Sequence, residues 1–304
     1  MWKLMMAALT VVFVVTGIAV AANIEDIPWT ESNATALRTF DRQAVEEFVN
    51  RVADDAVQHR RVGEFTWADL GGDGRYGLVV TADTTGRAFF EGVDVYQRDI
   101  HGKVVVQSFL GGGVRDLSKV VRDLDGDGKV ELVIPSRLDT EGPGGAFYPT
   151  VIWPKVYRLR KGKYVAASRD FPRFYDSEVL PGLDEAIAEA RQTLATQPER
   201  QLPSTGDPEF LQHAAEACLP QRRLASLEMT KDKILRVLGR DATAGLSRAR
   251  EWVANADPCL VGEAVTVLTD IGGHKDDLRA AEKEAQKSSI EFQRTGALSR
   301  YPRG

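Results

Sequence analysis

The 304-residue sequence predicts an α+β protein, with antiparallel β-structure first and an α-helical region after it. Three observations predict this. Between Glu64 and Ser168, short runs rich in Val, Tyr, Phe and Trp alternate with Gly and Asp clusters, which is the pattern of strands and hairpins. From Leu183 onward the texture changes to long Ala-, Glu- and Leu-rich stretches with helical periodicity. Two Asp-Gly loops in the first region, with Asp69 matching Asp123 and Asp73 matching Asp127, are each followed by an apolar run, so the β-region is a repeated unit.

The elements follow in chain order. Lys3, the apolar run Leu4 to Val20 and the segment Ala19-Val20-Ala21-Ala22 have the layout of a secretory signal peptide over residues 1–22, giving a mature chain that begins near Ala22 or Asn23. The competing expectation is an uncleaved membrane anchor, because the run approaches bilayer-spanning length. No Cys lies near the cleavage region, which argues against a lipoprotein. The expected location is therefore secreted or periplasmic, with membrane contact only if the segment stays uncleaved. Residues 23–63 form an N-terminal helical segment, in which Ala44, Phe48, Val52 and Ala56 recur every four residues from Arg42 to Ala56.

The β-domain, residues 64–182, carries eight expected strands: Phe65–Ala68, Gly77–Thr81, Val93–Arg98, Lys103–Phe109, Ser118–Arg122, Leu132–Ser136, Val151–Leu159 and Tyr164–Ala167. His101-Gly102 reads as a tight turn. The α-helical domain, residues 183–304, has expected helices at Asp184–Thr196, Pro208–Cys218, Arg222–Leu238, Ala244–Ala254, Pro258–Ile271 and Asp276–Lys287, with a Pro-rich linker from Gln197 to Pro208. The two cysteines, Cys218 and Cys259, suit either one disulfide in an oxidising compartment or two buried thiols.

The formal net charge of −5 gives no basic footprint, so nucleic acid is not an expected partner. His59, His101, His213 and His274 are scattered without metal-ligand spacing or a neighbouring nucleophile motif. Gly111-Gly112-Gly113 precedes a strand and so reads as a turn, not a phosphate loop. Phe171-Pro-Arg-Phe174-Tyr175 is either a recognition surface or, as large aromatics usually are, a core seam, here sealing the sheet against the first helix.

One loop carries distinct chemistry. Asp123, Asp125 and Asp127 place carboxylates at alternate positions, Lys129 offers a backbone carbonyl and Glu131 adds a fourth carboxylate, the hard-oxygen supply that calcium needs. Gly128 permits the turn, and mutual repulsion among the acids predicts metal dependence. An EF-hand would require Glu at the twelfth position and flanking helices, but Ile134 stands there and the flanks are β-type.

The spacing resembles the Asp-x-Asp-x-Asp-Gly-x-x-Asp calcium loop of the FG-GAP/VCBS family, the integrin-like β-propeller repeats, with Glu131 in place of the final Asp. The resemblance spans about residues 64–168 and implies four-stranded blades with a calcium ion held in the loop. In the first copy, Asp69 to Gly77, Gly71 and Gly77 replace two ligands, so that loop is expected to be empty. Two blades are fewer than a closed propeller needs. That leaves an incomplete propeller, a two-sheet sandwich or a module covered by its helices. The stretches Arg222–Ala254 and Pro258–Lys287 resemble HEAT-like repeats, although a helical bundle gives the same periodicity. The resulting expectation is an exported, calcium-stabilised, non-enzymatic module that binds a protein or glycan. The alternative is an exported hydrolase using Asp or Glu residues in a cleft between the β and helical regions.

Overall fold

The computed structural model describes residues 23–52, 60–83, 92–110, 114, 116–137, 152–196 and 210–255, together with single positions between 260 and 283. The chain opens with a turn of 3-10 helix, Glu31–Asn33, a short helix α1, Ala34–Leu37, and helix α2, Arg42–Val52. Four strands follow: β1 Arg61–Asp69, β2 Tyr76–Asp83, β3 Gly92–Arg98 and β4 Val104–Leu110. They pair as an antiparallel meander in the order β1-β2-β3-β4. Strands β5 Val121–Arg122, β6 Glu131–Arg137, β7 Ile152–Arg160 and β8 Lys163–Ala166 form a second four-stranded meander in the order β5-β6-β7-β8. Helices α3 Pro172–Phe174, α4 Leu180–Thr196, α5 Phe210–Val237 and α6 Thr243–Ala254 complete the described chain. No described helix is long and apolar enough to cross a membrane.

The apolar pattern explains how these elements stack. In β2, Leu78 and Val80 face a core shared with Trp29, Leu37, Val45, Phe48 and Val49, while Val79 faces the opposite way. In β6, Leu132 and Ile134 meet Val79, Val93 and Val95 of the first sheet, whereas Val133 joins Met229, Ile234 and Ala249 of the helices. Strands covered on both faces read as unbroken apolar runs, and Leu78-Val79-Val80 and Leu132-Val133-Ile134 are such runs. The layers are therefore helix, sheet, sheet, helix. Among the described residues the sheets form an open pair, not a closed propeller.

The residues that α2 buries are Val45, Phe48 and Val49; of the expected stripe, Phe48 is buried, Val52 packs half-buried against the same core, Ala44 is half-buried and Ala56 lies outside the described residues. Asn50 ties this helix to the sheet by donating to Arg60 O (2.9 Å) and accepting from Arg60 N–H (2.7 Å). The preceding segment extends the first sheet through the bridge Thr30↔Arg75, with Tyr76 N–H donating to Trp29 O (2.9 Å). A bulge between Val62 and Phe65 keeps Val62, Phe65 and Trp67 on the same face.

All eight expected strands are present, with ends shifted by a few residues and the fifth shortened to Val121–Arg122 by a 3-10 turn at Leu117–Lys119. The His101-Gly102 turn forms with Gly102 at φ +78°. The two expected helices Pro208–Cys218 and Arg222–Leu238 are one helix, α5, with Pro220 inside it. Pro220 deletes one helical hydrogen bond, but tertiary packing of the following turns, with Ala225 buried beside Cys218 and Leu260, outweighs that loss. Cys218 is disulfide-bonded, and the chain's other cysteine, Cys259, lies outside the described residues. The residue 1–22 segment, His59, His274, the linker from Gln197 to Pro208 and the glycine triplet at 111–113 also lie outside them. So do most residues of the last two expected helices.

The aromatic segment after β8 is core. Phe171, Phe174 and Tyr175 are buried with Val133, Trp153 and Val156 on one side and helical residues on the other, and Tyr175 donates to Pro154 O (2.6 Å). The seam closes the second sheet against the C-terminal helices, and not against the first helix as expected. One core therefore runs across the boundary read at residue 182.

Candidate metal centre

The Asp123–Glu131 loop joins β5 to β6, and its shape follows from the first Asp. Asp123 Oδ1 accepts from Gly126 N–H (2.7 Å) and Oδ2 from Gly128 N–H (3.0 Å), folding the chain back across its own carboxylate. Gly126 and Gly128 both take positive φ, +75° and +80°, which bulkier residues resist. Oxygens of Asp123, Asp125 and Glu131 then lie within 4.8 Å of one another. Ligands about 2.4 Å from a calcium ion sit up to roughly 4.8 Å apart across it, so the spacing suits such an ion.

Of the five sequence-predicted ligands, the structure brings Asp123, Asp125 and Glu131 together. Asp127 stands outside that triad. Its Oδ1 accepts from Lys129 N–H (2.9 Å) and its Oδ2 from Lys129 Nζ (3.3 Å), and the backbone bond leads in holding its carboxyl below the usual range. The Lys129 side chain thus serves Asp127. Glu131 is 0% exposed, and burial pushes its carboxyl up. Its Oε2 accepts from Leu124 N–H (3.0 Å), which holds it facing the loop.

Sequence reasoning missed Arg158. It stands opposite Glu131 in the β6–β7 register, and its Nε donates to Glu131 Oε1 (3.1 Å) while its Nη2 bonds Asp125 Oδ2. The same Nη2 is 3.9 Å from Asp127 Oδ2. Only the hairpin register exposes this residue, since 27 positions separate it from Glu131. The metal dependence expected from bare repulsion is correspondingly moderated. Four carboxylates against Arg158 and Lys129 leave a formal −2, still complementary to a dication.

The first loop shows the same backbone device without the ligands. Asp69 accepts from Asp73 N–H (3.1 Å) and Gly74 N–H (2.8 Å), and Asp73 is paired with Arg75 as Asp127 is with Lys129. At Gly77, where Glu131 stands in the second copy, a Cβ would collide with Leu70 Cδ1. Leu70 is buried in the space between the sheets, so apolar packing occupies the place of a ligand. The two loops lie side by side, with Val130 N–H donating to Leu70 O (3.1 Å) and a Cβ on Gly72 falling 2.7 Å from Gly128 O.

Elsewhere, Asp232 is the one described carboxylate outside the loop that burial pushes up. It is clamped by Arg248 between α5 and α6 and abuts Gly245, where a Cβ would have no room. Glu228, one turn away, takes Arg191 (2.6 Å) and Arg248 (3.2 Å). These carboxylates are committed to joining helices, and His101 is exposed at a hairpin turn. A groove on α2, lined by Gln43, Glu46, Glu47, Asn50 and Arg51, brings no nucleophile together. Comparison with models of known families, with curated proteins and with solved structures finds no match to this chain.

Proposed function

We propose that this chain is an exported calcium-binding protein of FG-GAP/VCBS type, in which the ion stabilises a binding module for another macromolecule or a glycan. The observation that carries the reading is the convergence of Asp123, Asp125 and Glu131 oxygens within 4.8 Å, in a loop between two strands and with a net negative charge. Calcium is favoured over magnesium because a flexible all-oxygen loop with several carboxylates matches its larger, looser coordination. The repeat of the Asp-Gly loop in each four-stranded meander supports blade-like units, here two, with helices covering their outer faces. The HEAT-like reading of the C-terminal helices belongs to the same proposal. The edges β4 and β8, where Val105, Val106 and Val165 are exposed, are where the partner is to be sought.

Isothermal titration of chelator-treated protein with calcium tests the ion. The expected result is one ion per chain, lost in Asp125→Asn and Glu131→Gln, and kept in Asp69→Ala. Heat of dilution alone for the unaltered protein would remove the reading.

A further inference from the structure

Three of the loop's four carboxylates surround a single guanidinium. Arg158 reaches Glu131 through Nε, Asp125 through Nη2 and the outer edge of Asp127 at 3.9 Å. Asp123 stands apart, both of its oxygens being given to the loop backbone. A guanidinium stays charged throughout the ordinary pH range. A cation therefore already lies where the carboxylates converge, supplied by the protein itself.

We infer that Arg158 is a resident counter-ion which a divalent cation has to displace, and that its release is felt at the seam between the second sheet and the helices. This rests on the calcium reading given above. Two of the three carboxylates in the candidate ligand triad, Asp125 and Glu131, are the ones Arg158 holds. A guanidinium and a dication cannot share those carboxylates at close range, since their mutual repulsion in a half-buried site is far greater than in water. The exchange lowers the apparent calcium affinity by the free energy needed to detach Arg158.

The second half of the inference comes from what lies behind the guanidinium. Its Cζ sits 4.6 Å from the centre of the Phe171 ring. Phe171 opens the segment whose Phe174 and Tyr175 are buried among the helices. Arg122, which flanks Glu131 on the opposite strand, reaches the same seam: it lies over Phe174 at 5.4 Å and grips Glu178 with two bonds of 2.8 and 2.9 Å. Glu131 thus has an arginine on each side in register, one locked to the helical seam and one shared between that seam and the loop. Moving Arg158 away from Asp125 and Glu131 alters its stacking on Phe171, which gives the ion's arrival a route to the helical layer.

Calcium titration by calorimetry of three chelator-treated proteins, unaltered, Arg158→Gln and Phe171→Leu, tests this. Arg158→Gln keeps all four carboxylates and removes the competing charge, so its calcium affinity is expected to rise on the order of tenfold, with the stoichiometry unchanged. Phe171→Leu keeps every charge and loosens the guanidinium's seat, so a smaller rise of about threefold is expected. Equal affinity in the unaltered protein and Arg158→Gln would overturn the inference while leaving the calcium site in place. Weaker binding in Arg158→Gln would overturn it by making Arg158 an organiser of the site. An unchanged affinity in Phe171→Leu would overturn the link to the seam. Absence of binding in all three would instead remove the calcium reading itself.

Discussion

Replacing Phe48 with Ala should destabilise the protein by about 3–5 kcal/mol, the usual effect of removing a large core aromatic. Phe48 is the hub through which α2 covers the first sheet. Its ring meets Trp29 edge-on at 5.7 Å and Tyr96 at 5.6 Å, and Trp29 in turn meets Trp67 at 5.0 Å. Rigid aromatic walls relax poorly into a void, so most of the lost ring volume would remain as a cavity. In a chain of this size the corresponding fall in melting temperature is roughly 10 °C. Ile100→Ala provides the control, because that side chain is 87% exposed at the hairpin turn. Its effect should stay within about 0.5 kcal/mol in chemical denaturation. A Phe48→Ala midpoint equal to that control would mean that α2 does not hold the sheet.

Calcium should raise the melting temperature of chelated protein. An ion bound to the native state alone stabilises by about 2.7 kcal/mol at a hundredfold excess over its dissociation constant, which is a rise of roughly 5–10 °C here. Asp125→Ala and Glu131→Ala should abolish the rise, since each removes an oxygen of the triad. Asp127→Ala should reduce it without abolishing it, because Asp127 stands outside the triad and acts through Lys129 and the edge of Arg158. Asp69→Ala should lower the starting temperature by removing two backbone bonds in the first loop, yet leave the rise intact. Differential scanning fluorimetry with and without chelator reads all four variants. A rise that survives Glu131→Ala would place the ion elsewhere.

Much of this architecture was legible in the residues. The eight strands were readable because each is a short run rich in β-branched or aromatic residues, closed within a few residues by Gly or Asp. The likeness of the two loops was readable because Asp69 and Asp123 each stand four residues before an Asp-Gly pair. Pro220 misled because local helix-breaking was outweighed by packing that only the tertiary fold supplies. The partner of the aromatic seam misled for a similar reason, as nothing local says whether Phe171 meets helices before or after it in the chain.

The site was half legible. Asp123, Asp125 and Glu131 could be read as a group from spacing alone, whereas the separation of Asp127 depends on the position of Lys129. Arg158 was hidden because its role depends on strand register across a long connection, where a slip of one residue would point it between the sheets. The emptiness expected of the first loop has a physical basis beyond ligand count: Leu70 fills the space that a side chain at Gly77 would need.

Diffraction from crystals grown with millimolar calcium examines the central claim most directly. The account requires a single strong peak bonded to oxygens of Asp123, Asp125 and Glu131 at about 2.4 Å, with the Arg158 guanidinium withdrawn from them. A guanidinium still seated among those oxygens, with no density for an ion beside it, would contradict the account.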